Sequence, residues 1–369
     1  MAKLIILYIF LSLFVASGWS TYKFEIDIIR KLNAEHANST SFVISPFSIH
    51  QALAMLYLEK ESRRDYQLAK GLGITGKGSE QIISHFDEAY HKLIKEQFIL
   101  ANHIFYPEKF NVTQHMKKMS DELHVDVAKL KFSNAGNEIT QWMQIAIQEV
   151  NSDLMSKTAI TDKTKLIAVQ GLFLEPKLKF RFLTYFEKAF PLNMPHLVET
   201  HYKIKMMYGQ GPVSYIVTGH VDGVSIPFPK TNLKMKIFMP ASGNNQEVLD
   251  NLNEYLGLKM HKYNKMNLLM PIFTVDKTLD LGKALESFGF KKVFAKNVDF
   301  KLNTTAPIFK QLSALRVKSH NMFPFEYQKH DHHKEFVIKP PFVFVIKDHK
   351  HIYMAGRVDT MKPRRYFFN

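Results

Sequence analysis

The stretch PFVFVIKDHKHIYMAGRV lies at residues 341–358, in the last part of the sequence. Two runs of β-branched and aromatic residues flank the polar turn Asp348-His349-Lys350, a pattern that predicts two adjacent strands. Comparable runs recur upstream and make the second half of the chain rich in strands. We expect strands over residues 98–105, 165–174, 202–207, 235–239, 268–275, 310–317, 336–346 and 352–358.

Apolar residues at helical spacing are concentrated in the first half. Ser45-Pro46 marks one helix start, because serine caps a helix N-terminus and proline fits its first turn. We expect further helices over residues 22–32, 80–93, 113–123, 137–150, 247–256 and 279–288. Helices that precede strands, rather than alternating with them, indicate an α+β fold. No repeat or flexible linker divides the chain, so residues 19–369 are expected to form one domain.

The composition excludes several classes of protein. The 369-residue chain is 46% hydrophobic and contains 30 Phe, 15 Tyr and no Cys. It can therefore build a large core, and it is not a disordered, collagen-like or coiled-coil protein. Disulfides, cysteine nucleophiles and thiolate metal sites are impossible. The net charge of +15 favours acidic or polyanionic partners. No basic helix with interleaved aromatic residues indicates nucleic-acid binding.

The N-terminus has the features of a secretory signal peptide. A basic start is followed by an apolar run over residues 4–15 and by the small residues Ala16-Ser17-Gly18. We expect residues 1–18 to be removed by cleavage after Gly18. An uncleaved anchor is the alternative, although the run is short for a membrane span. The mature protein is then secreted, extracellular and not membrane-bound. Three glycosylation sequons fit this compartment, at Asn38, Asn111 and Asn303.

Enzyme motifs are missing or lack their structural context. Residues 71–76, GLGITG, match GxGxxG and resemble a P-loop, but residues 63–70 before them are polar and helix-like rather than a buried strand. We expect these glycines to end a helix. Neither GxSxG nor HExxH occurs in the sequence. The cluster His330-Asp331-His332-His333 lacks the spacing of a preorganised metal site. We therefore expect no enzyme activity, no cofactor and no metal.

Several segments, in a shared order and spacing, resemble the serpin family of serine protease inhibitors. They lie at residues 41–49, 52–56, 101–105, around Trp142, and at residues 270–275, 279–294, 341–346 and 354–358. Together they cover nearly the whole mature chain. The resemblance implies a single domain with three β-sheets, eight or nine helices and an exposed reactive-centre loop.

The resemblance also implies a mechanism that needs no catalytic residues. In this family the exposed loop offers a bait bond to a serine protease. The cleaved loop then inserts as a new central strand of a sheet and carries the acylated protease with it. By the resemblance, the bait bond of this chain falls at Lys329, His330 and Asp331. A lysine at this position suits a trypsin-like protease, whose specificity pocket holds a carboxylate.

The hinge before the bait departs from the family pattern of glutamate, Gly-Thr and small residues. This chain has Asn321, Met322, Phe323, Pro324 and Phe325 there. Pro324 lacks the N–H donor that a central strand needs, and its two neighbours are bulky. Two further departures, Gln170-Gly171 and Leu178, fall near the part of the sheet that must open for insertion.

Two functions remain open on these residues. The resemblance implies a secreted regulator of extracellular serine proteases. The atypical hinge leaves a non-inhibitory binding, carrier or signalling protein as the alternative, for which the basic charge favours a polyanion such as a glycosaminoglycan. We expect a monomer that binds no nucleic acid. The chain also resembles secreted insect serpins, including the male accessory gland type of seminal fluid.

Overall fold

The computed structural model describes residues 21–39, 41–59, 66–147, 154–155, 158–161, 164–180, 182, 184–191, 201–288, 290, 307–319 and 334–361. Nine helices lie within these residues: α1 (Thr21–Glu35), α2 (Pro46–Leu58), α3 (Tyr66–Gly71), α4 (Ser79–Lys95), α5 (Gln114–Leu123), α6 (Ala135–Ile147), α7 (Asn245–Asp250), α8 (Leu252–Gly257) and α9 (Gly282–Ser287). No described helix is long and apolar enough to cross a membrane.

Fourteen strands lie within the same residues. They are β1 (Ser41–Ile44), β2 (Ile99–Pro107), β3 (Asp126–Leu130), β4 (Ile167–Leu174), β5 (Thr184–Pro191), β6 (His201–Val217), β7 (Val221–Pro227), β8 (Lys234–Pro240), β9 (His261–Pro271), β10 (Phe273–Asp280), β11 (Ile308–Val317), β12 (Glu335–Val337), β13 (Phe342–Lys347) and β14 (Ile352–Val358). The predicted α+β class is confirmed.

Hydrogen bonds join the described strands into two sheets. The five-stranded sheet has the order β10-β11-β4-β2-β3. The nine-stranded sheet has the order β1-β14-β13-β8-β7-β6-β9-β12, and β5 also pairs with β6. The resemblance implied three sheets, and two of them are continuous here because the 17-residue β6 pairs with β5, β7 and β9 along its length.

Helix α2 lies at the centre of the molecule, and all 13 of its residues are buried. The predicted start is confirmed, since the Ser45 side chain accepts a hydrogen bond from the Ser48 N–H and Pro46 occupies the first turn. The helix packs between β14 of the larger sheet and β4 of the smaller one. Each sheet therefore buries one face against the same apolar helix, which forms one continuous core.

The glycines of the GxGxxG match end a helix, as predicted. Helix α3 ends at Gly71, the Leu72 N–H continues its bonding to Leu68, and Gly73 adopts a left-handed φ of 69°. This conformation favours glycine and closes the last turn of a helix. The segment is thus not a phosphate loop, because a helix rather than a buried strand precedes it.

Several predicted boundaries were wrong, and each has a local reason. The strand expected over residues 268–275 is two strands in different sheets, β9 and β10, and Ile272 between them donates its N–H to the Lys205 carbonyl. The strand expected over 336–346 is β12 and β13, because Pro340-Pro341 provides no N–H donors. The helix expected over 279–288 begins at Gly282, since β10 extends to Asp280.

Candidate functional site

The centre of the five-stranded sheet is a parallel pair formed by β4 and β11. The pairing is continuous from Ile308 opposite Ile167 to Leu315 opposite Leu174. We call these paired residues the central seam. Residues 320–333, which contain the predicted hinge and bait, begin just after the end of β11. The seam is closed, because each of the eight residues of β4 has a partner in β11.

A row of buried amides crosses the inner face of the seam. Gln311, Gln170 and Asn102 are opposite one another on β11, β4 and β2. The Gln311 amide donates to the Ser45 carbonyl at 2.8 Å and accepts from the Ser45 N–H at 2.9 Å. Asn102 donates to Gln51 Oε1 at 2.6 Å. These bonds tie both outer members of the row to α2 and its N-cap.

Gln170 is the exception in this row. It is 1% exposed, and neither polar atom of its amide has a hydrogen-bond partner among the described residues. An unpaired buried polar group costs about 1–3 kcal/mol. Gln170 therefore weakens the closed sheet at the middle of the seam, which is one of the two places where the sequence departs from the family pattern.

Helix α6 covers the outer face of the sheet at Gly171. A Cβ atom at this glycine would lie 2.4 Å from Ile147 Cδ1 and 2.6 Å from Met143 Sδ, so the helix packs against the bare backbone of β4. Beside this contact, Trp142 of α6 packs edge-on against His103 of β2, with ring centroids 4.9 Å apart. Any widening of the seam must therefore also displace α6.

The residues on either side of segment 320–333 are held by contacts with the rest of the protein. After β11, Lys318 forms an ion pair with Glu175 at 2.8 Å, and the Ser319 hydroxyl donates to the Phe182 carbonyl. Before β12, the Lys334 ammonium donates to the Tyr215 hydroxyl at 3.0 Å. Leu178, the second departure, is 6% exposed and belongs to the main core.

The predicted bait and hinge residues lie outside the described part of the chain. This applies to Lys329, His330 and Asp331, to residues 321–325, to the signal peptide at 1–18, and to the sequon at Asn303. These assignments stay predictions. The other two sequon residues, Asn38 and Asn111, are exposed in the structure, so a glycan can be accommodated at either position.

A buried polar cluster between α1 and β14 was not predicted from the sequence. Both Glu25 oxygens are engaged, since Oε2 accepts the Ile352 N–H at 2.6 Å and Oε1 lies 2.8 Å from His351 Nδ1. Burial raises the pKa of Glu25 to about 7 and lowers the pKa of His351 to about 3. The cluster holds the first helix against the last strand, and it lies apart from the seam.

Comparisons with known proteins agree with this architecture. The family model described as Serpin (serine protease inhibitor) matches residues 20–361. The leukocyte elastase inhibitor of Sus scrofa is 23% identical over 296 residues, which cover 75% of this chain and 78% of the inhibitor. Serine protease inhibitor 42Dd of Drosophila melanogaster is 20% identical over 358 residues, which cover 90% and 94% of the two chains.

A solved structure shows the same fold at low sequence identity. Native protease nexin-1 with heparin superimposes with a TM-score of 0.75 at 17% identity, covering 92% of this chain and 97% of that one. The family model matches residues 20–361, which is nearly the whole chain. The fold described above agrees with this match. The chain belongs to the serpin family.

Proposed function

We propose that this serpin is secreted and regulates an extracellular, trypsin-like serine protease through residues 320–333. The observation that carries the proposal is the closed central seam, with the predicted bait segment directly after β11. Relatives at low identity are named as inhibitors of elastase and of serine proteases, which supports the protease as partner. The signal-peptide features of residues 1–18 support secretion.

Inhibition by insertion would require a specific change in the seam. The bonds between β4 and β11 would break, and part of segment 320–333 would enter as a strand antiparallel to β11. The new strand would pair on both sides, so the sheet would gain one set of ladder bonds over the eight positions of β4. Gln170, which has no amide partner in the closed sheet, lowers the cost of opening.

A non-inhibitory serpin is the second candidate, and Pro324 favours it. A strand between two neighbours needs its N–H groups on both sides, and proline has none. Phe323 and Phe325, two positions apart, would both add bulk on the same face of that strand. On this hypothesis the intact protein captures a partner. The net charge of +15 and the fold neighbour solved with heparin favour a polyanion such as a glycosaminoglycan.

One experiment separates the two candidates. The mature protein is incubated with trypsin, resolved on a denaturing gel, and melted before and after cleavage. A covalent complex that survives SDS, together with a large rise in melting temperature, supports inhibition by insertion. Cleavage after Lys329 with neither result supports the non-inhibitory candidate. If cleavage never occurs within residues 320–333, the proposed bait position is wrong.

Two variants sharpen this experiment. Lys329→Ala should abolish cleavage by trypsin within residues 320–333 under either hypothesis, because Lys329 is the only Lys or Arg of that segment and the specificity pocket needs a cation. The triple variant Phe323→Ala, Pro324→Ala, Phe325→Ala supplies small residues and the missing N–H donor. It should gain the covalent complex if the hinge alone prevents insertion. Continued simple cleavage of the triple variant would show that the hinge is not the obstacle.

Secretion and glycosylation are tested by expressing the full chain in insect cells. The protein should accumulate in the medium with Trp19 as its first residue. Treatment with a glycosidase should increase its gel mobility, and Asn38→Gln and Asn111→Gln should each remove part of the shift. Retention of residues 1–18 on a protein inside the cell would refute secretion.

A further inference from the structure

A cluster of two histidines and one aspartate lies on the surface between α4 and the turn after α5. Asp87 and His91 are one helical turn apart on α4, and His124 immediately follows α5. The same Asp87 Oδ1 lies 3.2 Å from His91 Nε2 and 2.7 Å from His124 Nε2. All three potential ligand atoms fall within 4.8 Å of one another.

We propose that Asp87, His91 and His124 bind a divalent transition-metal ion of the zinc class. Imidazole nitrogen and carboxylate oxygen bind Zn²⁺ at about 2.0–2.2 Å, so ligand atoms around a tetrahedral ion are roughly 3.3 Å apart. The 3.2 Å between Asp87 and His91 is close to this value, and the 2.7 Å hydrogen bond between Asp87 and His124 would lengthen when an ion replaces its proton. Calcium and magnesium prefer oxygen ligands and should not bind here. The side chains of His91 and Asp87 are 60% and 42% exposed, so an ion can enter from solvent.

The local structure holds His124 in place before any ion binds. Its φ of 52° is left-handed, and the Val125 N–H closes the turn on the Ser120 carbonyl. Leu123 and Val125 on either side are fully buried, so the backbone at His124 is pinned to the core. The Tyr90 ring stacks on the imidazole, with centroids 3.7 Å apart and planes 9° apart. Little reorganisation is needed to bind an ion.

Helix α4 fixes the other two ligands. Phe86 and Leu93 of this helix are fully buried, which fixes the rotation of α4 about its axis and hence the position of the face that carries Asp87 and His91. The i, i+4 spacing places both side chains on one surface of the helix. A bound ion would link α4 to the turn between α5 and β3, and β3 is an edge strand of the five-stranded sheet.

The buried cluster of Glu25, His50 and His351 has similar residue types but a different environment. All three side chains are fully buried, and both Glu25 oxygens already have partners. The imidazoles of His50 and His351 also pack against Phe86. No side chain of this cluster faces solvent, so a metal ion has no direct access to it. We therefore assign the zinc site to Asp87, His91 and His124 alone.

Calorimetric titration of the chelator-treated mature protein with zinc sulfate tests the site. We expect about one equivalent of zinc to bind. Loss of a residue that only hydrogen-bonds to a metal ligand typically lowers metal affinity about 10–100-fold. Loss of a ligand itself should cost at least as much, so His91→Ala and His124→Ala should each lower the affinity for zinc at least about tenfold. Zinc should raise the melting temperature of the wild type but not of His91→Ala, because only a protein that binds the ion is stabilised by it.

Two controls address the other histidines. His220→Ala removes an exposed imidazole elsewhere on the surface and should keep full affinity. The triple variant His330→Ala, His332→Ala, His333→Ala tests the histidine-rich segment and should also keep it. His91→Gln retains most of the side-chain bulk and should lose zinc like His91→Ala, which separates ligand loss from lost packing. If His124→Ala does not fold, the His91 variants decide alone.

The proposal is overturned by any of three results. The first is the absence of any heat of binding when zinc is added to the folded wild type. The second is zinc binding by the His91 variants with wild-type affinity. The third is loss of binding in the triple variant of residues 330–333, which would move the site to that segment. Absorption bands of bound Co²⁺, present in the wild type and lost in His91→Ala, would support the assigned ligands.

Discussion

Replacement of Gln311 by alanine should destabilise the closed seam more than any other change to its amide row. Gln311 is fully buried and bonds both backbone groups of Ser45. In the variant the Ser45 N–H has no partner, which costs about 1–3 kcal/mol. The Ser45 carbonyl keeps its bond from the Ile49 N–H. The lost side chain leaves a cavity of roughly 50 Å³, which adds about 1 kcal/mol at about 24 cal/mol per Å³.

The expected loss in free energy of unfolding is therefore about 2–4 kcal/mol. Urea denaturation followed by circular dichroism measures it. Ser313→Ala is the matched control, because Ser313 lies on the same strand and the same face, is fully buried, and its hydroxyl has no hydrogen-bond partner in the part of the chain that the structure describes. That variant should be neutral or slightly stabilised. The reasoning fails if Gln311→Ala unfolds within about 0.5 kcal/mol of the wild type, or if Ser313→Ala loses as much.

Three further predictions concern the surroundings of the seam. Gly171→Ala places a Cβ atom 2.4 Å from Ile147 Cδ1, so the ends of buried side chains on α6 must move, and we expect a loss of about 1 kcal/mol in urea denaturation; an unchanged midpoint would contradict this close packing. Burial lowers the pKa of His103 to about 4, so the folded state resists protonation and its stability falls as pH drops from 6.5 towards 4. His103→Leu should flatten that decline by at most about 1.4 kcal/mol per pH unit, and an identical pH profile for both proteins would exclude this role. Lys318→Ala breaks an ion pair whose lysine is 53% exposed, so thermal melting should show a cost below about 1 kcal/mol; a larger cost would indicate that this anchor restrains the end of the seam.

The sequence predicted most elements but missed the breaks between some of them. Local patterns were sufficient for α1, α2, α4 and α5, because caps and apolar spacing act within a few residues. They were insufficient where one apolar run serves two sheets, as in β9 and β10. Strands β3, β5 and β7 were not predicted, because tertiary pairing rather than local composition stabilises them.

The candidate site was predictable only in part. Gln170-Gly171 and Leu178 stood out in the sequence as departures from the family pattern, and two of them lie at the seam. The bonds of Gln311 to Ser45 join residues 266 positions apart, and no spacing rule connects them. The same limit applies to Asp87 and His124, which come together only when α4 packs beside α5.

The pairing of β1 with β14 has a consequence for biosynthesis. Ser41 lies opposite Val358, and the Ser45 hydroxyl donates to the Tyr353 carbonyl. A nascent chain therefore lacks the partner of β1, and one of the surfaces that bury α2, until the codon for residue 358 has been translated. Such distant contacts slow folding and leave apolar surface open meanwhile. Truncation after residue 340 should yield an insoluble product, because the ribosome would release a chain that cannot enclose its central helix.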